Sequence, residues 1–185
     1  VIKVPITNKR EVIKATDNII EYILETKGVE AAEKAEEAEH LVALGTLRRL
    51  SIDGKLKAIE SYLKDWSQSN EKLLVFGLHR EPLDYLAEKF KAELIAGGVS
   101  SKDKQRIVKE WQTNKSQFLF ANMESAGTGV DGLQNVCSNM IITELPWRPS
   151  DLWQVIGRLD RSGQKNSPNI KYLLSRRKRR NNNKR

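Results

Sequence analysis

The sequence is poor in the residues that cross-link a fold or hold a metal ion. Cys137 is the only cysteine among 185 residues, so no disulfide can form within the chain. Because Cys137 lies in an apolar segment, we interpret it as a buried structural thiol of a protein from a reducing compartment. The two histidines, His40 and His79, are far apart and have no flanking ligands, which argues against a zinc site.

Long apolar runs are missing as well. No stretch approaches the ~20 residues needed to span a bilayer, so we expect no membrane role. The opening residues, VIKVPITNKR, contain no signal-peptide stretch and start at Val1, so we expect a segment of a longer polypeptide. The hydrophobic share of 39% is enough for the core of one compact domain with appendages.

Positive charge is concentrated at the C-terminus. The net charge is +8, and residues 176–185, RRKRRNNNKR, hold seven Lys or Arg and no acid. Without those seven, 25 basic residues face 24 acidic ones, a net charge of +1. The tail could bind phosphates, with a strong dependence on salt, or could serve only as a solubilising extension. The sequence leaves both interpretations open.

Helical spacing and short apolar runs divide the chain into two parts. Apolar spacing predicts helices over residues 8–27, 30–44 and, after Gly54, 55–67. From residue 72 onward, strands and helices alternate: strands at 72–76, 92–98, 117–122, 139–144 and 169–175, helices at 82–90, 100–112 and 149–161. The alternation predicts an α/β fold, a parallel sheet with flanking helices, plus a helical N-terminal segment. We expect a lead-in at 1–50, a lobe at 51–175 and a basic tail at 176–185.

Three segments of the α/β part could bind a ligand. Residues 123–133, MESAGTGVDGL, follow a strand, and their glycines permit either an ordinary tight turn or a close approach to a ligand. Gln154, Arg158 and Arg161, at spacings of four and three, favour an anionic ligand. The two arginines could equally pair with acidic neighbours, which are Asp160, Asp151 and Glu144. The third segment, residues 73–86, is a strand running into an exposed loop with His79 and Arg80.

In combination, these segments resemble the second lobe of superfamily-two helicases, and in detail the Swi/Snf-type duplex-DNA translocases. That family has Ala-Gly-Gly-x-Gly-Leu-Asn-Leu, then Trp-Asn-Pro, then Gln-x-x-x-Arg-x-x-Arg-x-Gly-Gln. This sequence has AGTGVDGL at 126–133, WRP at 147–149 and QVIGRLDRSGQ at 154–164. The final Ser-Gly-Gln favours that family over RNA-directed relatives. The likeness covers about residues 45–175, and Asp131 and Arg148 stand where the family has Asn.

The resemblance implies a RecA-like lobe and a role for each matching residue. Arg158 and Arg161 would reach the phosphates of ATP held by another lobe, and Gln154 would orient the phosphate or the attacking water. The nucleotide's ribose would lie near Gly129 and Asp131. The remaining matches would face the DNA phosphate backbone: His79, Arg80, Ser125 and Gly127. Trp147 and Trp153 are interpreted as packing residues.

The nucleotide cradle itself is missing from the sequence. A phosphate loop needs G-x-x-x-x-G-K-[ST], but the only Gly-Lys pair, Gly54-Lys55, is followed by Leu56 and has Arg49 at the first glycine position. No Asp-Glu dipeptide is present to bind magnesium. We therefore expect ATP and Mg²⁺ to be held mainly by an N-terminal RecA-like lobe of the same protein, and the isolated chain to be inactive.

The expected partners are that lobe and double-stranded DNA, inside a cell: in the cytoplasm of a prokaryote or phage-infected cell, or in a nucleus. Two other functions stay open. One is a stand-alone nucleic-acid-binding module without ATPase activity. The other is the C-terminal lobe of an RNA helicase.

Overall fold

The computed structural model describes residues 1–37, 39–126 and 130–176. Helices and strands follow one another as β1 (Ile2–Val4), α1 (Lys9–Asp17), α2 (Ile19–Lys27), α3 (Val29–Glu37), α4 (Glu39–Trp66), β2 (Leu73–Gly77), α5 (Arg80–Lys89), β3 (Glu93–Ile95), α6 (Ser101–Thr113), β4 (Phe118–Asn122), α7 (Met123–Ala126), a 3₁₀ turn (Leu133–Asn135), β5 (Asn139–Ile142), α8 (Pro149–Ile156) and β6 (Asn169–Ser175). Among the described residues, no helix is both long and apolar enough to cross a membrane.

The chain forms two compact units. The larger contains Val1–Ile2 and Ile59–Leu173, and the smaller contains Lys3–Ala58 with the described residues from Leu174 onward. The division into lead-in, lobe and tail at residues 50 and 175 stays a prediction.

A parallel sheet dominates the larger unit. The strand order is β1-β6-β5-β2-β4-β3, and β2 pairs in parallel with both β4 and β5. Every residue of β2 and β4 is buried, as expected where short apolar runs are covered on both faces. The predicted α/β fold with a parallel sheet is confirmed. Because β2, β4 and β5 are parallel neighbours, the loops after them emerge at one edge of the sheet.

The core of the larger unit forms where α6 and α8 contribute apolar side chains beside the central strands. Trp111 of α6 and Val155 of α8 are fully buried in the same cluster as Leu74 and Leu119. Cys137 belongs to this cluster and is 5% exposed, which confirms a buried thiol. Burial raises the pKa of Cys137 to about 11 because the thiolate would be poorly solvated there.

The N-terminal part is helical, as predicted, but residues 8–27 form two helices instead of one. Asn18 breaks the run: its backbone is extended, and its side chain accepts a hydrogen bond from the Glu21 amide at 3.1 Å. Asparagine is a preferred N-cap because its side-chain oxygen satisfies an amide left free at the start of a helix. Helical periodicity continues across the break, so spacing alone did not reveal it.

The predicted start of a helix after Gly54 is wrong, because α4 runs through Gly54 without interruption. The glycine has a packing reason for its place. The Thr7 amide donates to the Gly54 carbonyl at 2.9 Å, and a Cβ at position 54 would lie 2.0 Å from the Asn8 Oδ1 atom. A Cβ at this position would force the Asn8 side chain to shift, and glycine avoids that contact.

Candidate functional site at the carboxyl edge of the sheet

The two arginines of the Gln154–Gln164 segment converge on consecutive residues. Arg158 donates through Nη1 to the Val130 carbonyl at 2.9 Å, and Arg161 donates through Nη1 to Asp131 Oδ1 at 2.6 Å. Helix α8 ends at Ile156, so both arginines lie in the turns that follow it and not in the helix predicted to residue 161. The structure thus brings together three of the predicted site residues.

The electrostatics of this cluster favour an anion. Arg158 is half-buried, and burial together with the neighbouring Arg161 charge lowers the pKa of its guanidinium, while Asp131 acts in the opposite direction. Two guanidinium groups, those of Arg158 and Arg161, and the carboxylate of Asp131 thus lie close together. Guanidinium forks bind phosphate bidentately and stay charged, so a phosphate group fits this surface.

Arg161 pairs with Asp131, which is none of the acidic residues that the sequence suggested as a partner. The side chains of the pair are 43% and 69% exposed. An ion pair so open to solvent contributes ~0–1 kcal/mol and is easily exchanged for another partner.

Gln154 lies at a neighbouring feature of the same edge. It is exposed on α8 and lines a cleft of about 390 Å³. The other residues around this cleft come from the loops after β2 and β5 and from helices α7 and α8: Leu78, Met123, Glu124, Pro146, Trp147, Arg148 and Asp151.

The interpretation of Trp147 and Trp153 as packing residues is wrong for this chain. Trp147 is 56% exposed at the cleft, and Trp153 is 69% exposed on α8. Helix α8 buries Val155 fully, and this apolar contact leaves Trp153 outside the core.

The loop after β2 is attached to a buried carboxylate. Glu144 follows β5, and its side chain is 7% exposed. Its Oε2 atom accepts from the amides of Leu78 and His79 at 3.0 and 3.1 Å, and its Oε1 atom lies 2.5 Å from His79 Nδ1. Burial opposes ionisation of Glu144, but the hydrogen bonds from His79 and Leu78 outweigh it and hold the pKa of Glu144 below its usual value.

Two further buried side chains hold the loops at this edge, and sequence reasoning missed both. Asn122 donates through Nδ2 to the Leu78 carbonyl at 2.5 Å and accepts from the Glu124 amide at 3.1 Å. Lys104, 8% exposed, donates through Nζ to the Ser125 carbonyl at 2.6 Å. The only signal in the sequence was a polar residue at the end of an apolar strand, which applies to Asn122 and Glu144 but not to Lys104.

The remaining predicted residues are placed as follows. Arg80 is exposed at the start of α5 and donates through Nε to Asp84 Oδ2 at 3.2 Å. Gly127 and Gly129 lie outside the described residues. Among those that are described, no three His, Cys, Asp or Glu side chains gather closely enough to hold a metal ion.

Comparison with known proteins agrees with this architecture. The crystal structure of the C-terminal part of the Fun30 ATPase domain superposes with a TM-score of 0.58 at 20% identity, covering 95% of this chain and 64% of that chain. The fold defined by the sheet and its flanking helices is thus the RecA-like α/β fold.

The sequence relatives are much longer proteins. The SWI/SNF-related matrix-associated actin-dependent regulator of chromatin subfamily A-like protein 1 of Xenopus tropicalis is 30% identical over 132 residues, 68% of this chain and 14% of that protein. The DNA annealing helicase and endonuclease ZRANB3 of Homo sapiens is 30% identical over 128 residues, 65% of this chain and 12% of that protein. Residues 54–163 match the model of the helicase conserved C-terminal domain. The chain belongs to that family, as a C-terminal lobe of the Swi/Snf type within helicase superfamily two.

Proposed function

We propose that this chain is the second lobe of an ATP-driven translocase or remodeller of double-stranded DNA. The observation that carries the proposal is the convergence of Arg158 and Arg161 on Val130 and Asp131 at the carboxyl edge of the sheet. Membership of the helicase C-terminal family supports it, because such a lobe completes a nucleotide site that begins on another lobe.

On the nucleotide side, Arg158 and Arg161 act as arginine fingers toward ATP held by an N-terminal RecA-like lobe of the same protein. Guanidinium groups placed at a phosphate under transfer stabilise the charge that develops there, an effect of about 10³–10⁵ in rate. Arg161 exchanges Asp131 for a phosphate oxygen. The pair is exposed to solvent, so breaking it costs little free energy. Gln154 orients the phosphate or the attacking water, and Gly129 and Asp131 approach the ribose.

On the DNA side, the loops after β2 and β4 contact the phosphate backbone through His79, Arg80, Ser125 and Gly127. Contacts to the backbone carry almost no sequence information, so the motor tracks DNA without reading its bases. Two matched relatives carry DNA in their names, a DNA annealing helicase and a DNA excision repair protein, which supports DNA as the polymer. A protein that acts on cellular DNA works inside the cell.

For the same reasons, we expect the isolated chain not to hydrolyse ATP. Its sequence has no G-x-x-x-x-G-K-[ST] motif and no Asp-Glu dipeptide, so the phosphate cradle and the Mg²⁺ ligands come from the other lobe. Mg²⁺, if bound by that lobe, would neutralise part of the negative charge of the phosphates.

The test is ATP hydrolysis with and without duplex DNA, by this chain alone and by a polypeptide that joins it to its N-terminal lobe. We expect hydrolysis only in the two-lobe polypeptide, with stimulation by duplex DNA. Turnover by the chain alone would mean a complete site within it. No turnover in either protein would favour a stand-alone binding module, and stimulation by RNA but not by duplex DNA would favour an RNA helicase lobe.

A further inference from the structure

The loop after β2 is held from both sides by side chains of the neighbouring strands. Glu144, at the end of β5, accepts from the amides of Leu78 and His79, while Asn122, at the end of β4, donates to the Leu78 carbonyl. Since β2 lies between β4 and β5 in the sheet, the backbone of residues 78 and 79 is fixed at three points. Most loops have no such support, because they rest on the surface of the fold.

The acceptor at position 144 is a carboxylate for a geometric reason. All three groups that face it are donors, namely two backbone amides and the ring nitrogen of His79. An ionised carboxylate offers about four lone pairs and no hydrogen, so it satisfies all three. Gly77 leaves room for the residues that follow β5, because a Cβ at position 77 would lie 2.9 Å from Thr143 Oγ1 and 3.2 Å from Glu144 Oε2.

The contact also fixes the histidine ring. With Glu144 as acceptor, Nδ1 of His79 carries the hydrogen, and the second ring nitrogen, Nε2, lies on the opposite side of the ring. The His79 side chain is 28% exposed, so part of the ring reaches solvent.

We propose that Glu144 is a positioning residue for DNA binding: it fixes the ring of His79 and the backbone beneath it so that this loop meets a DNA phosphate. The inference rests on the proposed function, which makes His79 a contact to the DNA backbone. Glu144 itself does not touch the polymer, because it is buried.

The direction in which Glu144→Gln changes DNA affinity separates a positioning role from a simple effect of charge. A carboxylate close to DNA phosphates repels them, so its neutralisation alone would tighten DNA binding. Glu144→Gln removes the charge but also puts an amide N–H₂ group among three donors. If Glu144 positions His79, the variant therefore binds DNA more weakly despite its more positive charge.

The experiment uses the two-lobe polypeptide and measures DNA-stimulated ATP hydrolysis against the concentration of a blunt 40-base-pair duplex. We expect His79→Ala and Glu144→Gln each to raise the half-maximal duplex concentration about tenfold. The double variant should be no weaker than His79→Ala alone, since Glu144 acts through His79. The matched control is Glu88→Gln, which removes the same charge from an exposed position of α5.

Two outcomes of this hydrolysis experiment overturn the proposal, and they differ in what they imply for the proposed function. If His79→Ala leaves the DNA dependence unchanged, His79 does not contact DNA, and Glu144 has no positioning role in DNA binding. A normal His79 effect, combined with equal or tighter binding by Glu144→Gln, leaves the contact in place and overturns the positioning role alone.

If Glu144→Gln lowers the stability of the two-lobe polypeptide, NMR spectroscopy of the chain alone still tests the proposal. The chain has only two histidines, so ¹⁵N-histidine labelling resolves His79 with His40→Gln as the assignment variant. We expect the Nδ1–H form of His79 in the parent chain and a mixture of ring forms in Glu144→Gln. The same single Nδ1–H form in folded Glu144→Gln would overturn the proposal.

Discussion

The guanidinium group of Arg161 donates to the carboxylate of Asp131 across 30 residues of sequence, with Nη1 and Oδ1 2.6 Å apart. One partner is a proposed arginine finger, and the other replaces the Asn expected at its position. The guanidinium group of the proposed arginine finger is thus already paired with a carboxylate of the same chain.

Replacement of Arg161 by alanine should abolish DNA-stimulated hydrolysis in the two-lobe polypeptide. Loss of an arginine finger removes stabilisation of the transition state and should lower kcat by about 10³-fold or more. The melting temperature should stay nearly unchanged, because the ion pair lost is exposed. Arg106→Ala, which removes an exposed arginine paired with Glu110 on α6, is the control. Normal ATP turnover in Arg161→Ala would show that Arg161 is not an arginine finger.

Replacement of Asp131 by asparagine should make ATP bind more readily. Arg161 then no longer exchanges a carboxylate for a phosphate, so the KM for ATP should fall about two- to fivefold with kcat little changed. Glu110→Gln breaks an ion pair of similar exposure at another place and should leave KM unchanged. A higher KM in Asp131→Asn would show that the contact of Asp131 with the nucleotide outweighs its competition for Arg161.

The two glycines within α4 should respond oppositely to alanine. At Gly45 a Cβ meets nothing within 4 Å, so Gly45→Ala should raise the free energy of unfolding by up to ~1 kcal/mol through helix propensity. At Gly54 the Cβ would lie 2.0 Å from Asn8 Oδ1, so Gly54→Ala should lower it by about 1–3 kcal/mol. Urea denaturation followed by circular dichroism measures both. Equal effects of the two substitutions would contradict the close contact with Asn8.

Cys137 should react slowly with thiol reagents in the folded chain. With a pKa of about 11, only ~0.1% of the thiol is ionised at pH 8, against about a quarter of a free thiol. Unfolding in urea should therefore accelerate modification by at least about 200-fold, measured with a chromogenic disulfide. Because the folded pKa is raised, the neutral thiol stabilises the fold fully below about pH 8.5, and this contribution is lost as pH rises toward 11. Rapid modification without urea would contradict the burial.

Deletion of residues 176–185 should weaken nucleic-acid binding at low salt. The segment carries seven basic residues, and each phosphate that it neutralises adds roughly −0.9 to the slope of log affinity against log salt. Fluorescence anisotropy with a labelled duplex between 50 and 200 mM salt measures that slope. A slope identical to that of the whole chain would show that the tail does not contact DNA.

The fold could be predicted from the sequence because its signals are local. Runs such as KLLVF and QFLFAN are short, apolar and bounded by turn residues, and they became β2 and β4. The misplaced boundaries have causes that periodicity does not register. Asn18 begins a helix through a side-chain hydrogen bond, and Gly54 continues one because another segment approaches it.

The candidate site could be predicted only as a set of residue types. Spacing identified Arg158 and Arg161, but their contacts with Val130 and Asp131 join positions 28 and 30 residues apart. The contact of Glu144 with His79 spans 65 residues and depends on β2 and β5 being neighbours in the sheet. Sheet order is a property of the whole fold, so no local pattern could have supplied these partners.

The hydrogen bonds of Asn122 have a mechanical consequence. One amide group holds the loop after β2 through the Leu78 carbonyl and the start of α7 through the Glu124 amide. Neighbouring parallel strands are ~4.8 Å apart, and the amide sets the distance between the two loops on that scale. The segments that carry His79 and Ser125 therefore keep a fixed interval, and a displacement of either segment carries the other with it.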